Sequence, residues 1–428
     1  MREEIIGHAK KNNLNRNGES MKKRNLDQIQ LARAFAIIAV LVVHTSSEGV
    51  TRLSPDSALY PFYNFFNIAG KLGTPTFIML SSFILFYNYF NRELKMDLIK
   101  NFYKKRLKFI LIPYFVFSLL YFGLTWHLYY DFPTAASAAE NFLWKLSLGK
   151  AYPHLYFVFI SVQLYILFPL LILLFKRSAF LRKNAFWLGL LIQWVWVYAN
   201  REYLQVPYKG SISLSYMSFY FIGAYLGIHY EAIIEKVKSK SFRTALFTGL
   251  FSGYAVMLVM YTGYMYIQRT GKFSHLLDPL PSWITSNLAE FTWATHALFA
   301  GLVLFFLAHL FNERFSVKTR AVFMEIGATS FGIYLIHPML LILFRDLVPN
   351  GSPIVFTLWQ IATFFGIAII SWAIVRLAYK AVPAYWILFG KLSPFFQLPK
   401  KEKTRLFSSY RDDSALAYSH YPNKRKND

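Results

Sequence analysis

Long, uninterrupted apolar stretches constrain this chain more than any other feature. They recur from residue 29 to residue 380, and they reach or approach the roughly 20 residues that cross a bilayer as a helix. Inside hydrocarbon every backbone amide must find its partner within the segment, so each stretch is read as a helix. The expected spans are about 29–47, 62–90, 108–126, 154–175, 184–199, 213–229, 245–267, 289–311, 327–344 and 354–380. The fold class is therefore all-α, a polytopic transmembrane helical bundle of about ten spans. Composition agrees, since 55% of residues are hydrophobic and only 16% charged, too few for an ordinary soluble domain. The second stretch is long for one crossing. Gly70-Lys71-Leu72-Gly73-Thr74-Pro75 interrupts it, which predicts a kink or a partly unwound helix there.

The basic residues alternate from side to side of this ladder. The segment before the first span, the loops after every second span and the C-terminal tail hold most of the 46 Lys and Arg. The opposite side holds only Arg52, Lys145, Lys150, Arg201, Lys209, Arg269, Lys272 and Arg345. By the positive-inside rule both termini are expected in the cytoplasm of a multi-pass plasma-membrane protein. The formal net charge of +24 then reads as topology and contact with anionic membrane lipid, with no nucleic acid partner implied. The absence of cysteine excludes disulfides, thiol catalysis and thiolate metal sites. Residues 1–24 are polar and without apolar periodicity, and are expected to be a disordered basic tail. Met21-Lys-Lys-Arg24 would make a natural second start. A ten-helix membrane domain is expected over 25–383, followed by an amphipathic, then polar and Lys-rich cytoplasmic tail over 384–428. The first apolar run is long and lacks a small-residue cleavage site, so it reads as a span and not as a signal peptide.

Within the first span, Arg33 and His44 enclose ten residues without a polar side chain. Eleven helical steps amount to about 1100° and about 16 Å. The two therefore share a face, Arg33 toward the cytoplasm and His44 toward the outside. Ionisable groups at membrane depth are costly, which marks the pair as functional. The structural alternative is an arginine snorkelling to headgroups and a histidine capping the helix. His44 suits a base near neutral pH, because imidazole titrates at about 6.5 when unperturbed. Glu48 lies one turn on, where it would orient the ring or serve only as an interfacial residue. The run Lys104-Lys105-Arg106-Leu107-Lys108 suits lipid contact, or the phosphates of an anionic ligand beside Arg33. In the ninth span Ser330, Tyr334 and His337 fall on one helical face, where they either fill a shared polar cavity or bond between helices. Gly327 and its small neighbours permit close helix packing. No nucleophile elbow, phosphate-binding glycine loop or pair of metal-ligating histidines on one helix occurs, so neither a serine nor a metal mechanism is supported.

Together these strings resemble the integral-membrane acyltransferase family three. The similarity rests on Arg33 and His44 at their spacing, His154-Leu-Tyr156-Phe157 opening the fourth span, Tyr220-Phe-Ile-Gly223-Ala-Tyr225 in the sixth, and Ser330-Phe-Gly-Ile-Tyr334-Leu-Ile-His337-Pro338 in the ninth. It runs from about Asn25 to Tyr379, and Asp27-Gln-Ile-Gln-Leu-Ala-Arg33 looks most like the branch that modifies biofilm polysaccharides and wall polymers. Where the family often places two arginines before the proline of the third span, Arg106 fits the first; Phe109 stands at the second, with Lys108 beside it. The resemblance implies an O-acyltransferase with no bound cofactor. An acyl-CoA, acetyl-CoA in the first instance, would be the cytoplasmic donor, and the acceptor would be a hydroxyl of an extracytoplasmic glycan or wall polymer. It implies donor contacts at Arg33, Arg106 and Lys108, and chemistry at His44, with Glu48, Tyr334 and His337 in support. The competing classes are an exporter or flippase of a polysaccharide or lipid-linked precursor, and an inactive structural partner of a synthase. The chain carries no convincing internal repeat of the kind many transporters show.

Overall fold

The computed structural model describes residues 26–129, 134–348 and 352–395, which are helical with no strand among them. The tail read over 1–24 and the part of the C-terminal tail beyond 395 lie outside the described residues. The first helix, α1 (Asp27–Arg52), is followed by a broken pair, α2 (Tyr60–Ala69) and α3 (Gly73–Tyr89). The break falls at residues 70–72, inside the Gly/Pro interruption read from the sequence. Next, α4 (Met96–Arg106) runs through a π-helical turn (Leu107–Leu111) into α5 (Ile112–Tyr129), and a short α6 (Ala135–Ser147) follows. A 3-10 turn (Pro153–Leu155) leads into α7 (Tyr156–Arg177), then α8 (Ala179–Ala199), α9 (Met217–Lys238) and α10 (Lys240–Thr270). The chain continues through α11 (Ser282–Arg314), α12 (Val317–Asp346), α13 (Pro353–Ala381) and a final turn, α14 (Trp386–Phe389).

Among the described residues, eight helices or helix pairs are long and apolar enough to cross a membrane, which makes this a multi-pass membrane protein. The fifth and sixth expected spans are the helices α8 and α9, of 21 and 22 residues, and are not among those eight. At about 1.5 Å per residue each is still long enough to cross. Their content of Trp, Tyr, Gly and Gln lowers hydropathy, and α9 can afford this because it packs on protein. It lies along α3, where the Ser82 hydroxyl donates to the Tyr220 carbonyl at 2.6 Å. By contrast α10 has one buried side chain, Tyr261, and presents apolar residues such as Val256 and Val259 outward, as a lipid-facing helix does.

The helix that carries Arg33 and His44 is the hub of the bundle. Along α1, Leu31, Ala32, Ala34, Ala36 and Ile37 are fully buried, as expected of a helix apolar on all sides. It packs against α2, α3, α11, α12 and α13. The approach of α12 is the closest of these. A Cβ on Gly327 would stand 1.9 Å from the Gln30 carbonyl oxygen, so only glycine allows the two backbones to meet there. Several helix starts are capped in the expected way, with the Ser178, Ser316 and Ser352 hydroxyls accepting from backbone amides three residues on.

Near the Arg33 end, α12 and α13 are joined by a buried ion pair. The Arg376 guanidinium grips Glu325 with two contacts, Nε to Oε1 at 2.5 Å and Nη2 to Oε2 at 2.7 Å, and Trp372 donates to the same carboxylate at 2.9 Å. A buried pair needs this degree of satisfaction to offset its desolvation. The third guanidinium contact, Nη1 to the Ser393 carbonyl at 2.8 Å, draws in the chain beyond α13. Phe389 and Leu392, within the segment expected to be an amphipathic tail, are buried in the core.

Candidate active site

The site is built where α1, α12 and the entrance to α7 meet. Pro338 has no amide proton to offer the helix ladder, and the ladder of α12 opens beside it. The buried Tyr121 hydroxyl enters the gap, donating to the Leu335 carbonyl at 2.9 Å and accepting from the Met339 amide at 3.1 Å, a pair that an unbroken helix would join directly. His337, one residue before the proline, is held by its own helix. Its Nδ1 lies 3.1 Å from the Ile333 carbonyl. A carbonyl only accepts, so Nδ1 carries the proton and Nε2 is left with its lone pair. That Nε2 is buried and has no partner among the described residues.

The His44 and His337 rings are in contact, with centroids 5.0 Å apart. A third histidine completes the cluster. His154, in the 3-10 turn before α7, lies 5.9 Å from His337 and 5.0 Å from Tyr121, ring to ring, and neither of its buried nitrogens meets a hydrogen-bond partner among the described residues. Its backbone is pinned by the Tyr334 hydroxyl, which donates to the His154 carbonyl. Three helical elements thus bring three imidazoles into one cluster, tied to one another by ring contact.

Two cavities flank this cluster, and Tyr334 lines both. One, of about 610 Å³, is lined by His44, His154, Lys71, Tyr156, Glu290 and Trp293. Lys71 reaches it from the break between α2 and α3; Glu290 is already paired with Lys209 at 2.8 Å. The other, of about 470 Å³, lies toward the beginning of α1. Among the described residues it is lined by four cationic side chains, Arg33, Lys105, Arg106 and Lys391, and by no acidic one. Apolar walls from Phe77, Leu80, Ile84, Phe157 and Phe331 lead inward to Tyr334. The Arg106 guanidinium lies over the Tyr165 ring at 4.7 Å and the Phe102 ring at 5.1 Å, which fixes its plane.

The residues singled out from the sequence fall into three groups. Arg33 and Arg106 line the cationic cavity together, and Tyr334 and His337 meet His44 at the cluster. Glu48 is held by two arginines, Oε2 to Arg52 at 2.7 Å and Oε1 to Arg345 at 2.5 Å, and is not hydrogen-bonded to His44. Lys108 is outside the cavity lining; its ammonium sits 4.3 Å over the Trp386 ring. Sequence reasoning did not select His154, Lys71 or Lys391 as site residues. His154 did carry a signal, a histidine at the mouth of an apolar span. Lys71 was visible only as part of a helix break, and Lys391 only as one lysine of a basic tail.

With this geometry in view, comparison with known proteins gives a consistent picture. A family model for an acyltransferase domain, acyltransferase family three, matches residues 26–388. The chain is similar to a probable poly-beta-1,6-N-acetyl-D-glucosamine export protein of Staphylococcus aureus strain MRSA252, 25% identical over 75% of this chain and 83% of that protein. A protein of the same description from Staphylococcus epidermidis is 26% identical over 75% and 82%. No solved structure matches. The family match takes in all eight candidate spans among the described residues, the three clustered histidines and the lining of both cavities except Lys391, and on that ground the chain belongs to acyltransferase family three.

Proposed function

We propose that this protein is a plasma-membrane O-acyltransferase with both termini in the cytoplasm. In this reading an acyl group, acetyl in the first instance, passes from cytoplasmic acyl-CoA to a hydroxyl of an extracytoplasmic glycan or wall polymer. One observation carries the reading: a cavity lined by four cationic side chains and a histidine-lined cavity approach each other from opposite ends and share the wall at Tyr334. The first has the charge to hold phosphates and the apolar walls to hold a pantetheine arm. The second has room for a sugar, with Trp293 and Tyr156 as stacking surfaces. The similarity to proteins named for export of a polysaccharide supports a glycan acceptor.

The chemistry follows from the donor's position. With phosphates near Arg33 and Arg106, the thioester points past Tyr334 toward His44. His44 takes the proton of the acceptor hydroxyl as its oxygen attacks the thioester carbonyl. The tetrahedral adduct collapses, the C–S bond breaks, and the CoA thiolate leaves with that proton to become the thiol. Should His44 itself attack first, the acyl-imidazole formed is then opened by the hydroxyl, with the same products. His337 and His154 pack the imidazole in place in either order of events.

The relatives' name favours a second reading, export of the polysaccharide itself. Sealed vesicles of known orientation separate the two. Labelled acyl-CoA offered on the cytoplasmic face is expected to yield labelled acceptor on the opposite face, and donor offered only outside is expected to yield none. Movement of unmodified glycan without any donor would establish the exporter instead. Product made solely from outside donor would reverse the orientation.

A further inference from the structure

Beyond α13 the chain does not leave the bundle. It turns back beneath the mouth of the cationic cavity and is fastened at three points. Phe389 is buried against the Phe117 ring at 5.9 Å. Leu392 is buried in the core. The Ser393 carbonyl accepts from Arg376, itself locked to Glu325. Between these anchors, Gly390 adopts φ +66° and ψ −154°, a region open in practice to glycine alone. A Cβ there would meet the Phe109 carbonyl oxygen at 2.4 Å. Lys391 is the next residue, and it lines the cavity with Arg33, Lys105 and Arg106.

We infer that residues 386–393 form a latch that carries Lys391 to the mouth of the donor cavity, where its ammonium binds the 3′-phosphate on the adenosine end of CoA. The inference rests on the acyl-CoA reading above. The depth order of the cations directs the assignment. Arg33 and Arg106 are half-buried, whereas Lys105 and Lys391 are exposed at the rim. The thioester has to reach inward toward Tyr334 and His44, so the end of the donor farthest from sulfur stays at the rim. On CoA that end is the adenosine with its ribose 3′-phosphate. Lys391 has no acidic partner among the described residues, so its charge is available to a ligand.

The test compares CoA with 3′-dephospho-CoA, titrated calorimetrically into the full chain in lipid nanodiscs. Lys391→Ala is expected to weaken CoA about three- to fivefold, as loss of one solvent-facing ion pair of good geometry does, and to leave dephospho-CoA unchanged. Lys391→Arg should keep the preference for CoA. Gly390→Ala, which leaves every charge in place but disturbs the latch, should lose the preference as the alanine variant at 391 does. Unchanged CoA affinity in Lys391→Ala overturns the inference while leaving the acyl-CoA reading intact. Equal weakening toward both ligands also overturns it, since the lysine then acts on another phosphate. If the unsubstituted protein binds neither ligand, the acyl-CoA reading falls and takes this inference with it.

Discussion

Gly327→Ala tests whether the closest helix contact in the bundle sets the geometry of the site. The new Cβ would stand 1.9 Å from the Gln30 carbonyl oxygen and 2.7 Å from its carbon. Real Cβ contacts do not close below 3.0 Å, so the two backbones must part by about 1.1 Å, with no flexible side chain to absorb it. One of those helices carries Arg33 and His44, the other Ser330, Tyr334 and His337. Overpacking of this kind costs about 1–3 kcal/mol, which a bundle of this size can bear. A misplacement of about 1 Å in an assembled site, however, costs on the order of a hundredfold in rate. The expected outcome is a protein that inserts and purifies as a single species but transfers acyl groups about a hundredfold more slowly. Turnover would be followed in proteoliposomes with labelled donor. Gly249→Ala and Gly263→Ala, both in α10 with nothing within 4 Å of the added carbon, are the controls and should leave turnover unchanged. Turnover within twofold of the unsubstituted protein in Gly327→Ala would refute the idea that the α1–α12 contact positions the site.

His44→Ala is expected to lower acyl transfer at least a hundredfold with expression and insertion unchanged, the usual scale for loss of a positioned base; mass spectrometry showing undiminished glycan acylation would remove His44 from the chemistry. Arg33→Lys should weaken donor use about tenfold or more, seen as a raised KM for acyl-CoA, because a point charge does not replace a planar fork on phosphate. Full activity with lysine there would make Arg33 a topological charge only.

Much of the architecture was legible because the bilayer imposes its own period. Span positions followed from apolar run lengths, and the break in the second span followed from Gly70 to Pro75. The Arg33/His44 face followed from helical pitch, and each of these residues lines one cavity. What was hidden depends on contacts between distant segments. His154 joins the cluster because the chain enters α7 through a 3-10 turn under Tyr334, and its local signal, a histidine at the mouth of an apolar span, does not say which histidines it meets. Lys391 is drawn to the cavity by Arg376 and by one glycine conformation, whereas the local composition of that stretch suggests only a tail. Lys108, the last residue of the basic run, turns instead to Trp386, a partner from the far end of the chain.

Tyr334, as the shared wall of two cavities, also has an electrical consequence. Where solvent-accessible spaces enter a membrane protein from both ends, the transmembrane voltage falls across the short septum between them. An elementary charge carried through that septum would exchange about 2.3 kcal/mol with the field for each 100 mV. An acyl group is neutral, so its passage beside Tyr334 does no electrical work. On the acyl-CoA reading the donor's phosphates stay on one side of the field while the acyl group exchanges for the acceptor's proton, so no net charge crosses, and the final extent of transfer is expected to be the same in energised and de-energised membranes.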